Sequence, residues 1–458
     1  MQPLTVLNVV GLARRFIGPA TPNIARLATR GGLRDLATVT PAVTCSVQST
    51  MLTGLPPDQH GIVGNGWYFR DLGEVFLWRQ SNRLVAGEKV WDAAKARDPA
   101  FTCANLFWWY AMHASTDFTV TPRPIYLADG RKLPDIWASP SDLRDELTRV
   151  LGTFPLFHFW GPAADIRSSR WIAEAALHVM RTRAPTLTLV YLPHLDYVLQ
   201  RQGPAGPDVA AHVADIDALC GRLIDASDNV LLLSEYGITD VARPVHINRA
   251  LREAGFLRVR RERDQEQLDF AASDAFAVAD HQIAHVYVRR PPLVPAVSAL
   301  LSSLLGVEMV LDTDGKRAFG LDHPRSGELV ALAEADAWFT WYHWLDDAQA
   351  PDFARTVEIH RKPGYDPVEL FLDPAIRLPR AAIAWKLAKR ALGFRSVMNV
   401  IPLDATLVRG SHGRITTNRE DGPVLISSNP ALLPDAAVPA AAVKSLMLRH
   451  MFGPSEGV

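Results

Sequence analysis

With 458 residues the chain can bury one large core carrying an insertion, or two domains, and it is too long for a small disulfide-stapled module. Apolar residues make up 48%, charged residues 21% and the formal net charge is −1, an ordinary globular composition with no basic excess for a nucleic-acid polymer. Cys45, Cys103 and Cys220 are odd in number and form no Cys-x-x-Cys pair, which disfavours a disulfide framework and a thiolate zinc site and points to a reducing, cytoplasmic compartment.

The N-terminal MQPLTVLNVVGLARR has no basic stretch before its apolar run and no small-residue cleavage site, so Leu4–Val10 reads as a first buried strand. Helical spacing follows over Pro22–Arg30. The segment TPAVTCSVQSTMLTGLPPDQHGIVGN then predicts a helix that opens at Thr44 and stops at Gly54. Aromatic stretches at Trp67–Trp91 and Phe107–Tyr110, and later Trp338–Trp344, break the rhythm and read as insertions over the sheet edge. An exposed patch of Trp67, Trp78, Trp108 and Trp109 would instead mark an interaction surface.

Further on, Ser168–Arg183 has helical spacing, and Leu187–Leu192 is a short apolar run rich in strand formers. In Val209–Ala226 the apolar positions 209, 213, 216, 219, 220 and 223 follow a helix. Val230–Leu233 and His285–Val288 again look like buried parallel strands. No stretch approaches the roughly 20 apolar residues of a membrane span. This alternation predicts an α/β fold, a doubly wound sheet with helices on both faces, whose ligands bind at the carboxyl ends of the strands.

Thr44 is the first residue to suggest chemistry. A helix N-terminus offers free N–H groups and a positive dipole end, which stabilise phosphate and favour ionisation of a nearby hydroxyl. From the local pattern alone, however, Thr44 is an ordinary helix N-cap. Cys45 beside it reads as a small buried residue, and His60, before a turn glycine, as a structural hydrogen-bonding residue.

The longer series Thr44, Thr53-Gly54, Pro56, His60-Gly61-Ile62 and Asn65 resembles the nucleophile motif of the nucleotide pyrophosphatase/phosphodiesterase branch of the alkaline-phosphatase superfamily. The resemblance implies that Thr44 is the attacking nucleophile, that the Asn65 amide binds a non-bridging phosphate oxygen, and that two zinc ions assist. Within YLPHLDYVLQRQGP, Asp196 matches a metal-ligating Asp and Gln200 stands where the family has His. Within LLLSEYGIT, Glu235 and Tyr236 stand on an Asp-His pair. His412 in VRGSHGRIT matches the last ligand directly. Val10 stands where the first strand should end in Asp, with Asn8 the nearest polar residue.

Of the six implied ligands besides the threonine, Asp196 and His412 are unchanged, Glu235 is a homologous carboxylate, and Val10, Gln200 and Tyr236 depart. The implied cofactor is one or two divalent ions, zinc by resemblance, with two ordinary zinc sites disfavoured. Asp280-His281, His194, and His360 with Asp366 are further polar candidates, and Arg361 and Lys362 suggest an anion-recognition loop. The implied activity is phosphoester hydrolysis of a phosphorylated small molecule. The alternative is an altered relative that binds a phosphorylated or polyol metabolite without two-zinc hydrolysis. The expected division is an alkaline-phosphatase-like core over 1–255 and 396–458, with a Trp-rich insertion at about 66–140, and a smaller inserted or cap subdomain over 256–395.

Overall fold

The first apolar run forms strand β1 (Leu4–Val9), in which every residue is buried. A strand with no polar face must be covered on both sides, and β1 is the central strand of a nine-stranded sheet. This computed structural model describes residues 1–128, 131–394 and 396–453; residues 454–458, assigned above to the core, lie outside the described residues.

In chain order the sheet continues with β2 (Gly32–Ala37), β3 (Cys103–Leu106), β4 (Phe118–Pro122), β5 (Ile136–Ser139), β6 (Leu187–Leu192) and β7 (Val230–Leu233). A second, four-stranded sheet follows, made of β8 (Ala275–Asp280), β9 (Ile283–Val288), β10 (Val307–Leu311) and β11 (Leu329–Ala333). The chain then returns to the large sheet with β12 (Val424–Ser427) and β13 (Val438–Pro439). The large sheet has the order β13-β2-β12-β7-β1-β6-β3-β4-β5. β1 runs parallel to both β6 and β7, and β3 and β4 continue the parallel set. β12 is antiparallel to β7 and β2, and β5 is antiparallel to β4, so the sheet is mixed.

Helices α1 (Pro22–Arg30), α2 (Thr44–Thr53), α3 (Val90–Arg97), α4 (Ile166–Arg183), α5 (His194–Gln202), α6 (Val209–Asp225), α7 (Pro379–Ala391) and α8 (Val443–Phe452) matter below. α1, α4 and α5 pack with α6, while α2 and α3 pack with α8, giving the sheet two helical layers. All six positions that marked α6 as amphipathic are buried.

Three expectations change. The His285–Val288 run lies in β9, which pairs antiparallel with β8 and β11 in the second sheet; an apolar strand buried on both faces looks the same in either kind of sheet. β3, β4 and β5 come from the stretch at 66–140 read as an insertion, and they extend the central sheet. Trp67, Trp108 and Trp109 are buried and Trp78 packs half-buried on the core, which removes the exposed tryptophan patch.

Candidate active site

α2 begins just after an extended Val43, which caps the helix without a side-chain bond. Thr44 is the first helical residue, and its Oγ1 lies 3.0 Å from the Tyr236 hydroxyl rather than capping its own helix. The capping is done from a distance: the Cys45 N–H donates to Asn65 Oδ1 at 3.0 Å. Gly54 ends the helix with φ of 75°, the left-handed conformation that favours glycine. All ten residues of α2 are buried, so Thr44 is held from every side.

The carboxyl ends of β6 and β7 bring the partners. Asp196 sits in the first turn of α5, and Gln200, one turn on, donates to Asp196 Oδ2 at 2.7 Å. The Tyr236 hydroxyl donates to Asp196 Oδ1 at 3.3 Å, so Thr44, Tyr236 and Asp196 form a hydrogen-bonded chain. Tyr365 donates to Gln200 Oε1 at 3.0 Å and fixes the amide's orientation. Burial pushes the Asp196 carboxyl up to about 7, against the lowering effect of the bonds from Tyr236 and Gln200.

Glu235 is held by two amides on one of its oxygens. Asn8 Nδ2 and Gln48 Nε2 each donate to its Oε1 at 2.6 Å. Burial raises its pKa to about 8, with the bonds from Gln48 and Asn8 opposing the rise, so at neutral pH the carboxyl is mostly protonated. Asn8 reaches Glu235 in the regular register, in which it pairs with Leu233 of β7.

His412 arrives on a turn pressed against α5. A side chain at Gly410 would place its Cβ 2.2 Å from Leu199 O, so only glycine permits that approach. His412 Nδ1 lies 2.8 Å from Ala42 O; a carbonyl only accepts, so Nδ1 carries the proton and Nε2 is left as a lone pair. That Nε2 has no hydrogen bond and lies 3.6 Å from Asp196 Oδ1. Burial holds the imidazole down at about 3, so it is neutral.

Four rings form a continuous stack across this site. Tyr236 lies on His412 with centroids 3.7 Å apart and planes 8° from parallel, His412 on His281 at 3.6 Å, and His281 on Tyr365 at 3.7 Å. The residues present do not fit a two-metal centre. Val10 offers no donor and Tyr236 uses its hydroxyl on Thr44 and Asp196. Glu235 gives its Oε1 to two amides and keeps only Oε2 without a partner. Among the described residues no group of three or more His, Cys, Asp or Glu side chains is arranged to hold an ion. Asp196 and His412 remain facing each other as a pair, fewer than the three or four protein ligands of a typical zinc site.

The structure places the other candidates as follows. Asn65 gives its Nδ2 to Asp280 Oδ1 at 3.0 Å and its backbone N–H to Asp280 Oδ2 at 2.7 Å. His60 bonds Thr50 and the Ile62 N–H, a structural role. His194 pairs with His212 at 3.0 Å. Lys362 is buried between Asp366 and Glu369, 2.7 Å from each, so its charge is already satisfied and the anion-loop reading fails for it, while Arg361 lies over Phe353. Gln48 and Tyr365 were not anticipated. Gln48 stands four residues after Thr44, one turn along the same helix, and that spacing could have found it. No such local signal points to Tyr365.

A cavity of about 700 Å³ leads from solvent to Thr44, Asp196 and His412. Its walls are largely aromatic, with Trp78, Trp109, Phe159, Trp160 and Tyr197, and His360 and Arg361 also line it.

A mixed sheet between helical layers, with a threonine helix at the strand ends, is the architecture of alkaline-phosphatase-like proteins. The sequence profile of the type I phosphodiesterase / nucleotide pyrophosphatase family matches residues 4–366, and the chain belongs to that family. It is similar in structure to phosphonoacetate hydrolase from Sinorhizobium meliloti in complex with phosphonoformate, with a TM-score of 0.64 and 15% identity over 98% of this chain and 96% of that one. An inactive variant of murine ectonucleotide pyrophosphatase / phosphodiesterase 5, in complex with AMP, matches with a TM-score of 0.59 and 13% identity over 100% and 96% of the two chains. An uncharacterized pyrophosphatase/phosphodiesterase of Schizosaccharomyces pombe is 26% identical over 233 residues, 48% of this chain and 41% of the relative, so the match spans less than half of that protein.

Proposed function

We propose that the protein is a phosphoester hydrolase in which Thr44 is the nucleophile and the Thr44–Tyr236–Asp196 chain takes up its proton. The observation behind this reading is the direct bond from Thr44 Oγ1 to Tyr236, continued to Asp196. Oγ1 forms a bond to phosphorus as the bond to the leaving oxygen breaks. The threonine proton passes to Tyr236, whose own proton moves to Asp196. Water then attacks the Thr44 phosphoester, Thr44 regains its proton along the same path, and the proton lost by water neutralises the departed oxygen in bulk solvent. In this reading Asn65 is turned towards the phosphate once its bond to Asp280 is exchanged for a phosphate oxygen.

No step is routed through zinc, because the ligand positions do not support two ions. Asp196, His412 and Gln200, with the unpartnered Oε2 of Glu235, are the matched positions at which a single divalent ion would find ligands. The three buried, unpaired cysteines go with a reducing, cytoplasmic compartment.

Turnover of an aryl phosphodiester should fall about 10³-fold or more in Thr44→Ala with the far-UV circular dichroism unchanged. Retained turnover overturns the assignment. Elemental analysis of the purified protein should give fewer than two tightly bound divalent ions per chain; two full equivalents would count against the metal-independent relay. The ring stack favours a second reading, a relative that binds a phosphorylated or polyol metabolite without cleaving it. That reading holds if the wild type binds such a ligand and turns over no phosphoester.

A further inference from the structure

The cavity mouth has a composition unlike that of the rest of the surface. Eighteen large apolar residues are exposed among the described residues, and ten of them belong to three neighbouring pieces of sequence. These are Ile125, Tyr126 and Leu133 of a small hairpin, Phe157, and six residues between 378 and 397. Tyr126, Phe157, Leu387 and Val397 line the cavity themselves, so the apolar surface continues from outside to inside.

Helix α7 has two apolar sides. Ile383 and Leu387 face the cavity, and α7 buries no residue fully. Leu378, Trp385 and Leu392 recur every seven residues, at the N-cap, within and at the C-cap of α7, and are 71%, 62% and 73% exposed. Water around three such side chains is costly, and all three stay more than half exposed among the described residues. The charge is equally one-sided: between Asp373 and Asp404 the sequence has six basic residues and no acidic one, in a chain of net charge −1. Lys389 lies 5.2 Å from the Trp385 ring, a basic group beside an exposed indole. Lys386 and Arg390 tie the helix to the segment after it, through Val397 O at 3.0 Å and Ser396 O at 2.9 Å.

An amphipathic helix with exposed Trp and Leu and a basic flank is suited to lie in the interface of an anionic bilayer. No helix among the described residues is long and apolar enough to cross a membrane, so the contact is with one surface. We propose that the Leu378–Trp385–Leu392 stripe docks the cavity mouth on an anionic lipid bilayer, from which an amphiphile enters with its apolar chain along the aromatic walls. The position of its phosphoester head at Thr44 rests on the function proposed above; the docking does not. A cavity of about 700 Å³ is in the range that encloses a small amphiphile.

The test is flotation of the full chain with vesicles of phosphatidylcholine alone and with 30%, on the order of a physiological anionic fraction, of phosphatidylserine. The wild type should float with the anionic vesicles, and at least tenfold less with the neutral ones. The L378E/W385E/L392E variant should lose binding at least tenfold, with unchanged turnover of a soluble aryl phosphodiester, because these side chains line neither the cavity nor the core. Wild type that stays unbound, or a variant that floats as well as wild type, overturns the proposal. So does a wild-type dimer in light scattering that the variant converts to monomer, since the stripe would then be covered by a second copy. Thr44→Ala should float like wild type; floating without cleavage of a phosphoester amphiphile by the wild type would refute the Thr44 reading and leave the docking intact.

Discussion

At the floor of the cavity, Thr44, Tyr236, Asp196, Gln200 and His412 are all buried, and they come from four separate segments linked by hydrogen bonds and ring contacts. At its mouth, α7 belongs to one continuous segment and buries no residue fully. The floor is therefore a mutually dependent network, in which one change is felt by several partners. The exposed side chains of the mouth are separate from one another, and their removal leaves the fold alone. Substitutions at the floor should cost stability or turnover, and those at the mouth only the handling of apolar ligands.

The largest effect should come from beneath the floor. Lys362→Met leaves the Asp366 and Glu369 carboxylates buried without their cation, a loss of about 3–5 kcal/mol. Trp160, a cavity wall residue, also bonds Glu369 through its indole N–H at 2.5 Å, so the damage spreads to the cavity. Urea unfolding measures it, and a loss below about 1 kcal/mol would show the triad to be dispensable.

Next is the pH dependence of stability. The folded-state pKa of Glu235, about 8, lies above its ordinary 4.5. Between those values the folded protein binds more protons than the unfolded chain, so stability falls as pH rises through this window and levels off above about 8. Asp196, at about 7, adds a fall of the same sign between its ordinary 3.8 and 7. Glu235→Gln keeps the shape and removes the titration. Its unfolding free energy in urea should be less pH-dependent than that of wild type and higher at pH 9, by an amount on the order of a few kcal/mol. A wild-type midpoint that rises between pH 5 and 8 breaks this account.

Tyr236→Phe separates proton transfer from packing. The ring still stacks on His412, and only the hydroxyl between Thr44 and Asp196 is lost. kcat should fall about 10²-fold, with KM and the melting temperature little changed. An unchanged kcat would remove the relay.

These effects fall on residues that were unequally legible. Thr44, Asn65, Asp196 and His412 stand in local strings whose turn residues fix their register, as at Gly54 and Gly410. The central strands and α6 were readable because burial on both faces, or on one face of a helix, leaves a periodic mark. Asn8 stood out only as the nearest polar residue, because its role depends on Glu235, which follows the neighbouring strand 227 positions away. His281 and Tyr365 complete the ring stack from segments whose own sequences describe only turns and strands. The mouth was missed for another reason. An exposed amphipathic helix has the same spacing as a buried one, and only the fold shows which side was left uncovered.

The smallest expected effect tests the mouth alone. Leu387 is 52% exposed, lies on α7 and lines the cavity. Its side chain supports no buried network, so Leu387→Ser should shift stability by no more than about 0.5 kcal/mol. Contact with an apolar chain in the cavity is a different matter, since losing part of one hydrophobic wall weakens binding by about 1 kcal/mol, or roughly fivefold. KM for a phosphodiester bearing a long alkyl chain should rise by that factor, while KM for a short-chain analogue, whose head alone occupies the floor, should stay the same. Equal changes for both substrates would mean that Leu387 acts on the floor, and the separation of the two ends would fail.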